Sequence, residues 1–138
     1  MKNFKKVNNI SGWIVFLIAT VTYLVTMEKT ASLWDCGEFI SAAYKLEVVH
    51  APGAPFFLMM GRIFSLFASD ASQVAIMINS MSALSSSFTI LFLFWTITSF
   101  GRKIYLKDGV IEQSKLIAII GAGVVGSLAY TFSDSFWF

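Results

Sequence analysis

Three stretches of the chain run without a charged residue for long enough to be tested against a bilayer. Residues 12–27 (GWIVFLIATVTYLVTM) are uncharged over 16 positions, or 18 if counted from Ile10; residues 74–100 are uncharged over 27, and residues 116–132 over 17. A helix needs about 20 predominantly apolar residues to cross the hydrocarbon core. The pattern therefore predicts an all-α, polytopic membrane protein with transmembrane helices at about 10–27, 74–100 and 116–132. A fourth apolar run, Phe56–Ala68 (FFLMMGRIFSLFA), is short and carries Arg62. Polar residues gather in 28–73 and in 101–115. No period of 20–50 residues repeats, and the length suits one domain or part of one.

Charge decides how the short run is placed. If Phe56–Ala68 does not cross, Lys2, Lys5, Lys6, Arg102, Lys103, Lys107 and Lys115 share one side, seven of the ten basic residues. Lys29, Lys45 and Arg62 fall on the other side with Glu28, Asp35, Glu38, Glu47, Asp70 and Asp134. The positive-inside rule then sets the N-terminus and the 101–115 loop in the cytoplasm and the 28–73 loop outside. If the run crossed, the basic 102–115 loop would move outside and the rule would fail. Phe56–Ala68 thus reads as a juxtamembrane or re-entrant helix buried against the other helices. A secretory signal peptide also fits a basic start and an apolar run. However, no clean small-x-small cleavage site follows, and Leu33-Trp34-Asp35-Cys36 is a poor lipobox.

Composition agrees with this reading. Residues of the AVILMFWYC set make up 57% of the chain, charged residues only 13%, and mean hydropathy is +0.73. So few charges could not cover so much apolar surface in water. A net charge of +2, with no basic stripe interleaved with aromatics, argues against nucleic-acid binding. The single Cys36 excludes an internal disulfide and a cysteine zinc cluster, and one histidine cannot build a His-based metal site. No cofactor is called for, and a divalent metal has no ligand pattern behind it. Gly121–Gly126 matches G-x-G-x-x-G by letters, but it lies inside a predicted span with no preceding strand. Ala118, Ala122 and Gly126, four residues apart, read instead as a helix-packing face. Asn79, Ser80, Ser82 and Ser85–Ser87 read mainly as hydrogen-bonding groups within or between helices, with substrate lining the minor alternative.

Chemistry concentrates in Leu33–Pro55, LWDCGEFISAAYKLEVVHAPGAP. Asp35 can cap a helix starting near Cys36, and Glu38 three residues on completes an Asp version of the capping box. Phe39, Ala42, Ala43 and Leu46 then share one face, and Glu38, Ser41 and Lys45 another, as in an amphipathic helix lying on a membrane surface. Pro52-Gly53 predicts a turn, and Pro55 the first position of the next helix. Capping accounts for Asp35 and Glu38 without any chemistry. Against that stands the gathering of Trp34, Asp35, Glu38, His50 and Arg62 beside one interface, where a carboxylate can meet a lipid-borne substrate. Trp34 by itself reads as an interfacial anchor and His50 by itself as a loop histidine. Arg62, inside an apolar run, needs an anionic partner: Asp35, Glu38, a phospholipid or a substrate phosphate.

The string from Leu33 to Ser65 resembles the N-terminal signature of the transmembrane-protein-260-like family, also classed as glycosyltransferase family 117. The matching positions are Asp35, Cys36, Gly37, Glu38, Ala42, Ala43, Leu46, Val48, His50, Pro52, Gly53, Pro55, Gly61 and Arg62. The Cys form is similar to the bacterial branch; Ala51 departs from the proline common there. The resemblance implies residues 1–138 as the N-terminal part of one GT-C-type membrane domain in a bacterial inner membrane. It implies a polyprenyl-phosphate sugar donor, membrane lipid, and an acceptor protein offering a Ser/Thr hydroxyl, with mannose a candidate sugar. In that scheme Asp35 is the general base, Glu38 orients or assists, and His50, Arg62 and Trp34 meet the donor and its phosphate. Family members run to many more spans, so the chain is expected to be a fragment that does not catalyse alone. The competing reading is a non-catalytic transport or assembly subunit in which 28–73 is a capped interfacial helix.

Overall fold

Apolar residues that recur every three to four positions, with no proline inside the long runs, leave the helix as the structure that satisfies every backbone group in a membrane. The computed structural model describes residues 2–32, 34–105 and 112–133. Leu33, Lys107 and Asp134, which bear on the charge and loop readings above, lie outside that set. Among the described residues there are five α-helices and no strand: α1 (Lys2–Thr26), α2 (Cys36–Lys45), α3 (Pro55–Ser65), α4 (Val74–Tyr105) and α5 (Gln113–Thr131). A short 3-10 turn, Ala71–Gln73, leads into α4, with Asp70 accepting from Ser72 N at 2.8 Å.

Three helical stretches are long and apolar enough to cross a membrane: Phe4–Thr26, Ala71–Tyr105 and Gln113–Thr131. The chain is an all-α polytopic membrane protein. On α1, Ile10, Ile14, Leu17, Val21 and Val25 all face outward. Such a stripe is unstable in water and suited to lipid. At 11 residues α3 is only about 16 Å long, too short to span.

The chain divides into two compact units, Met1–Tyr23 with Ser86–Phe138, and Leu24–Ser85. In the first, α1 meets α4 through aromatic edges. The Trp13 and Trp95 rings are T-shaped at 6.2 Å, and Phe16 lies 4.7 Å from Phe88. The Tyr23 hydroxyl donates to Thr131 O at 3.2 Å. The buried face of α5 is Ile119, Gly123, Ser127 and Thr131, one residue along from the expected stripe: Ala118 and Ala122 are exposed, while Gly126 of that stripe packs against α4, where a Cβ would meet Ile97 Cδ1 at 2.8 Å. Adjacent stripes on a helix lie only about 100° apart. The choice falls to the partner: Phe94 and Thr98 of α4 stand where Gly123 has no side chain. The G-x-G-x-x-G letters do lie inside this helix.

The second unit holds the segment rich in polar chemistry. Its core is Ala42 and Ala43 of α2, Val49, Leu58 of α3, and Val74, Ile78 and Met81 of α4. Gly61 of α3 packs so closely on α2 that a Cβ there would stand 2.9 Å from the Ala43 Cβ. α3 buries Leu58, Gly61 and Ser65, while Phe56, Met59 and Ile63 stay exposed.

Candidate functional site

The site is built on the start of α2 and the loop that returns past it. The helix begins at Cys36, with Asp35 as its N-cap residue. The expected capping box does not form: Asp35 has φ −81°, ψ 3° and makes no side-chain capping bond. A capping side chain normally swings over the first free N–H groups from an extended backbone. With ψ already near the helical region, the carboxylate points elsewhere.

Glu38 is not the reciprocal partner of a box either. Its Oε1 accepts from His50 N at 2.9 Å, and its Oε2 lies 2.9 Å from His50 Nδ1. One carboxylate thus grips backbone and ring of the same residue, 12 positions away. The other ring nitrogen, Nε2, faces Asp35 Oδ2 at 3.8 Å. The Phe39 ring meets the imidazole edge to face at 5.9 Å and Phe57 at 5.8 Å.

The loop can make this return because α2 ends cleanly. Leu46 takes the left-handed conformation (φ 58°), and Glu47 N donates to Ala42 O at 2.9 Å. Leu46 therefore leaves the buried face to which its spacing assigned it and is exposed, whereas Ala42 and Ala43 are buried as expected. Val49 tucks into the core beneath. A turn with Gly53 N donating to His50 O at 3.0 Å, and Gly53 at φ 90°, carries the chain to Pro55 at the start of α3. Glycine suits that backbone because a Cβ there would be strained.

The electrostatics follow from the grip. Bonds from His50, first from its backbone N–H, hold Glu38 below the usual carboxylate range. Glu38, first by hydrogen bond and then by charge, raises His50 above the ordinary imidazole value, with Asp35 adding to the rise. All three side chains are about half exposed.

Beside this cluster lies a cleft of about 570 Å³. Phe39, Ile40, Ala54, Phe57 and Ile78 make it apolar, and Trp34, Asp35 and Cys36 stand on one edge with Asn79 and Ser82 on another. Trp34 is 94% exposed. Asn79 and Ser82 were read from sequence mainly as helix-packing groups. The signal that could have promoted them is their spacing with Ile78 on one face of α4. The Asn79 side chain also donates to Glu28 O at 2.8 Å and Thr30 O at 3.1 Å, tying down the strap after α1.

Arg62 is not part of the cluster. Its Nη1 donates to Tyr44 O at 2.7 Å, and its guanidinium lies over the Tyr44 ring at 5.4 Å. It serves a carbonyl at the negative end of α2. Tyr44 is about 9 Å along the helix from Glu38 at 1.5 Å per residue. The structure thus brings together Asp35, Glu38 and His50, with Trp34 beside Asp35 on the cleft edge, and holds Arg62 of α3 against the far end of α2. Among the described residues no group of three or more His, Cys, Asp or Glu could hold a metal ion.

The family model for the Protein O-mannosyl-transferase TMEM260 N-terminal domain matches residues 35–138. The chain belongs to this family. It is also 34% identical over 85 residues to the Protein O-mannosyl-transferase tmem260 of Dictyostelium discoideum. That match covers 61% of this chain and 10% of the relative, so the chain corresponds to a small part of the relative's length. No solved structure matches it.

Proposed function

We propose that the chain forms the N-terminal part of a membrane glycosyltransferase of the GT-C type. The enzyme would move a sugar from a polyprenyl-phosphate donor to a protein Ser/Thr hydroxyl. The matched relative is named for mannosyl transfer, which favours mannose. The arrangement at residues 28–73 would face the extracytoplasmic side of a bacterial inner membrane, with the N-terminus in the cytoplasm. The supports for that topology are the basic residues near both other chain segments and the shortness of α3.

One observation carries the catalytic reading. Asp35 occupies a helix N-cap yet makes no capping bond, and its carboxylate stands at the edge of an apolar cleft. In this scheme Asp35 takes the acceptor hydroxyl proton as the oxygen attacks the anomeric carbon and the bond to the donor phosphate breaks. Such help is worth about 10²–10⁴-fold. The apolar wall of Phe39, Ile40, Phe57 and Ile78 suits the prenyl end of a donor, and Trp34 offers a face to lipid or sugar. Both ring nitrogens of His50 face carboxylates and Arg62 is held at Tyr44 O, so nothing in this arrangement favours the phosphate role for either. The competing reading, a non-catalytic transport or assembly subunit, keeps Asp35 and Glu38 as structural groups only, and Asp35→Asn separates the two.

The test is Asp35→Asn in the full-length protein, with transfer to an acceptor peptide followed by mass spectrometry and folding followed by thermal unfolding. Transfer should fall at least a hundredfold while the unfolding midpoint holds. Normal transfer by the variant would remove Asp35 from the chemistry.

A further inference from the structure

Two carboxylates flank one imidazole, with Asp35 at the cleft edge: Glu38 on Nδ1 at 2.9 Å, Asp35 opposite Nε2 at 3.8 Å. Glu38 also accepts from the His50 backbone N–H, so both the main chain and the ring of His50 are tied to one residue of α2. A ring held this way cannot turn away from Asp35 without breaking its Nδ1 bond to Glu38. Asp35, by contrast, has no bond from its own helix to fix it.

We propose that protonated His50, clamped by Glu38, is the positioning residue that aims the Asp35 carboxylate at the cleft. The proposal rests on the reading of Asp35 as general base. An imidazolium between two carboxylates offsets their mutual repulsion, donating to Glu38 from Nδ1 and attracting Asp35 from Nε2 across 3.8 Å. Neutral His50, with its one proton on Nδ1 for Glu38, would instead turn a lone pair toward Asp35. The charge state of His50 thus decides whether Asp35 is held or pushed away. The charged groups facing the ring are Glu38 and Asp35. On the elements packed against α2, α3 carries only Arg62, which is bound at Tyr44 O, and residues 74–85 of α4 carry no charge.

The sign follows. Positioning is complete while His50 is protonated and is lost as pH rises through its raised pKa. Transfer should therefore show an alkaline limb above the ordinary imidazole value of about 6.5.

The experiment uses the full-length membrane protein with a prenyl-phosphate sugar donor and an acceptor peptide. His50→Gln should lower kcat about tenfold to a hundredfold, leave KM for the peptide near its original value, and abolish the alkaline limb. Glu38→Gln should move the limb to lower pH. His50→Lys, charged across the range, should recover part of the lost kcat without a limb. A measurement independent of turnover is the NMR titration of the His50 ring, assigned by its disappearance in His50→Gln. Its midpoint should lie above the ordinary value and fall in Asp35→Asn. A midpoint unmoved in Asp35→Asn, a limb unmoved in Glu38→Gln, or a kcat unchanged in His50→Gln overturns the proposal. If Asp35→Asn abolishes transfer while His50→Gln does not affect it, positioning alone fails. If Asp35→Asn still transfers, the base assignment fails and this proposal with it.

Discussion

The spacing between α2 and α3 is set by a side chain that is absent. Gly61 is buried, and a Cβ built there would lie 2.9 Å from Ala43 Cβ, itself fully buried. Carbon atoms in contact sit about 3.5–4.0 Å apart, so Gly61→Ala must part the helices by about 0.6–1.1 Å. Overpacking of this kind costs about 1–3 kcal/mol. Alanine returns about 0.5–1 kcal/mol by its better helix propensity. The net loss should be about 1 kcal/mol, and Gly61→Val, which adds bulk without further propensity, should lose about 3 kcal/mol. The assay is the unfolding midpoint of the detergent-solubilised protein, in the original background and in Ala43→Gly. Removing the Ala43 methyl should abolish most of the Gly61→Ala penalty, a coupling of about 1–2 kcal/mol. If Gly61→Ala stabilises by its propensity gain equally in both backgrounds, the close approach does not exist.

The register of α5 can be checked by two glycines. Gly123→Ala meets Thr98 Cγ2 at 2.6 Å and should cost about 1–3 kcal/mol. Gly121→Ala meets nothing within 4 Å and should be neutral or stabilising by up to about 1 kcal/mol; equal effects in thermal unfolding would refute the assignment of Gly123 to the packed face. Arg62→Ala removes the bond to Tyr44 O and the cation–π contact, and at this part-exposed place should cost about 1 kcal/mol. Hydrogen exchange should show the end of α2 opening first in that variant. An Arg62→Ala protein that keeps its midpoint but loses donor affinity would separate phosphate binding from this structural role.

The helices were legible in the sequence because their cause is local. Uncharged runs of the right length, Pro55 at a first helical position and small residues at 42 and 43 each act through their own neighbours or through the bilayer. That is why an all-helical membrane protein, a helix starting at Cys36, and family membership through Asp35, Glu38, His50, Pro52, Gly53 and Gly61 could be read before any coordinates. The pattern also showed which segment was dense in chemistry.

Tertiary structure decided the pairings. Asp35 and Glu38 three residues apart have the letters of a capping box, but the box competes with a partner that local sequence cannot see. The turn at Leu46 and the burial of Val49 bring His50 back to α2, where it takes the Glu38 carboxylate. Arg62 was short of an anion on paper and instead found a carbonyl and a ring at the end of α2. The α5 face shifted by one residue to suit Phe94 and Thr98. Each case has the same cause: a side chain's partner is chosen by what folding brings within about 3 Å, and over separations of 12 or 18 residues that depends on how helices pack.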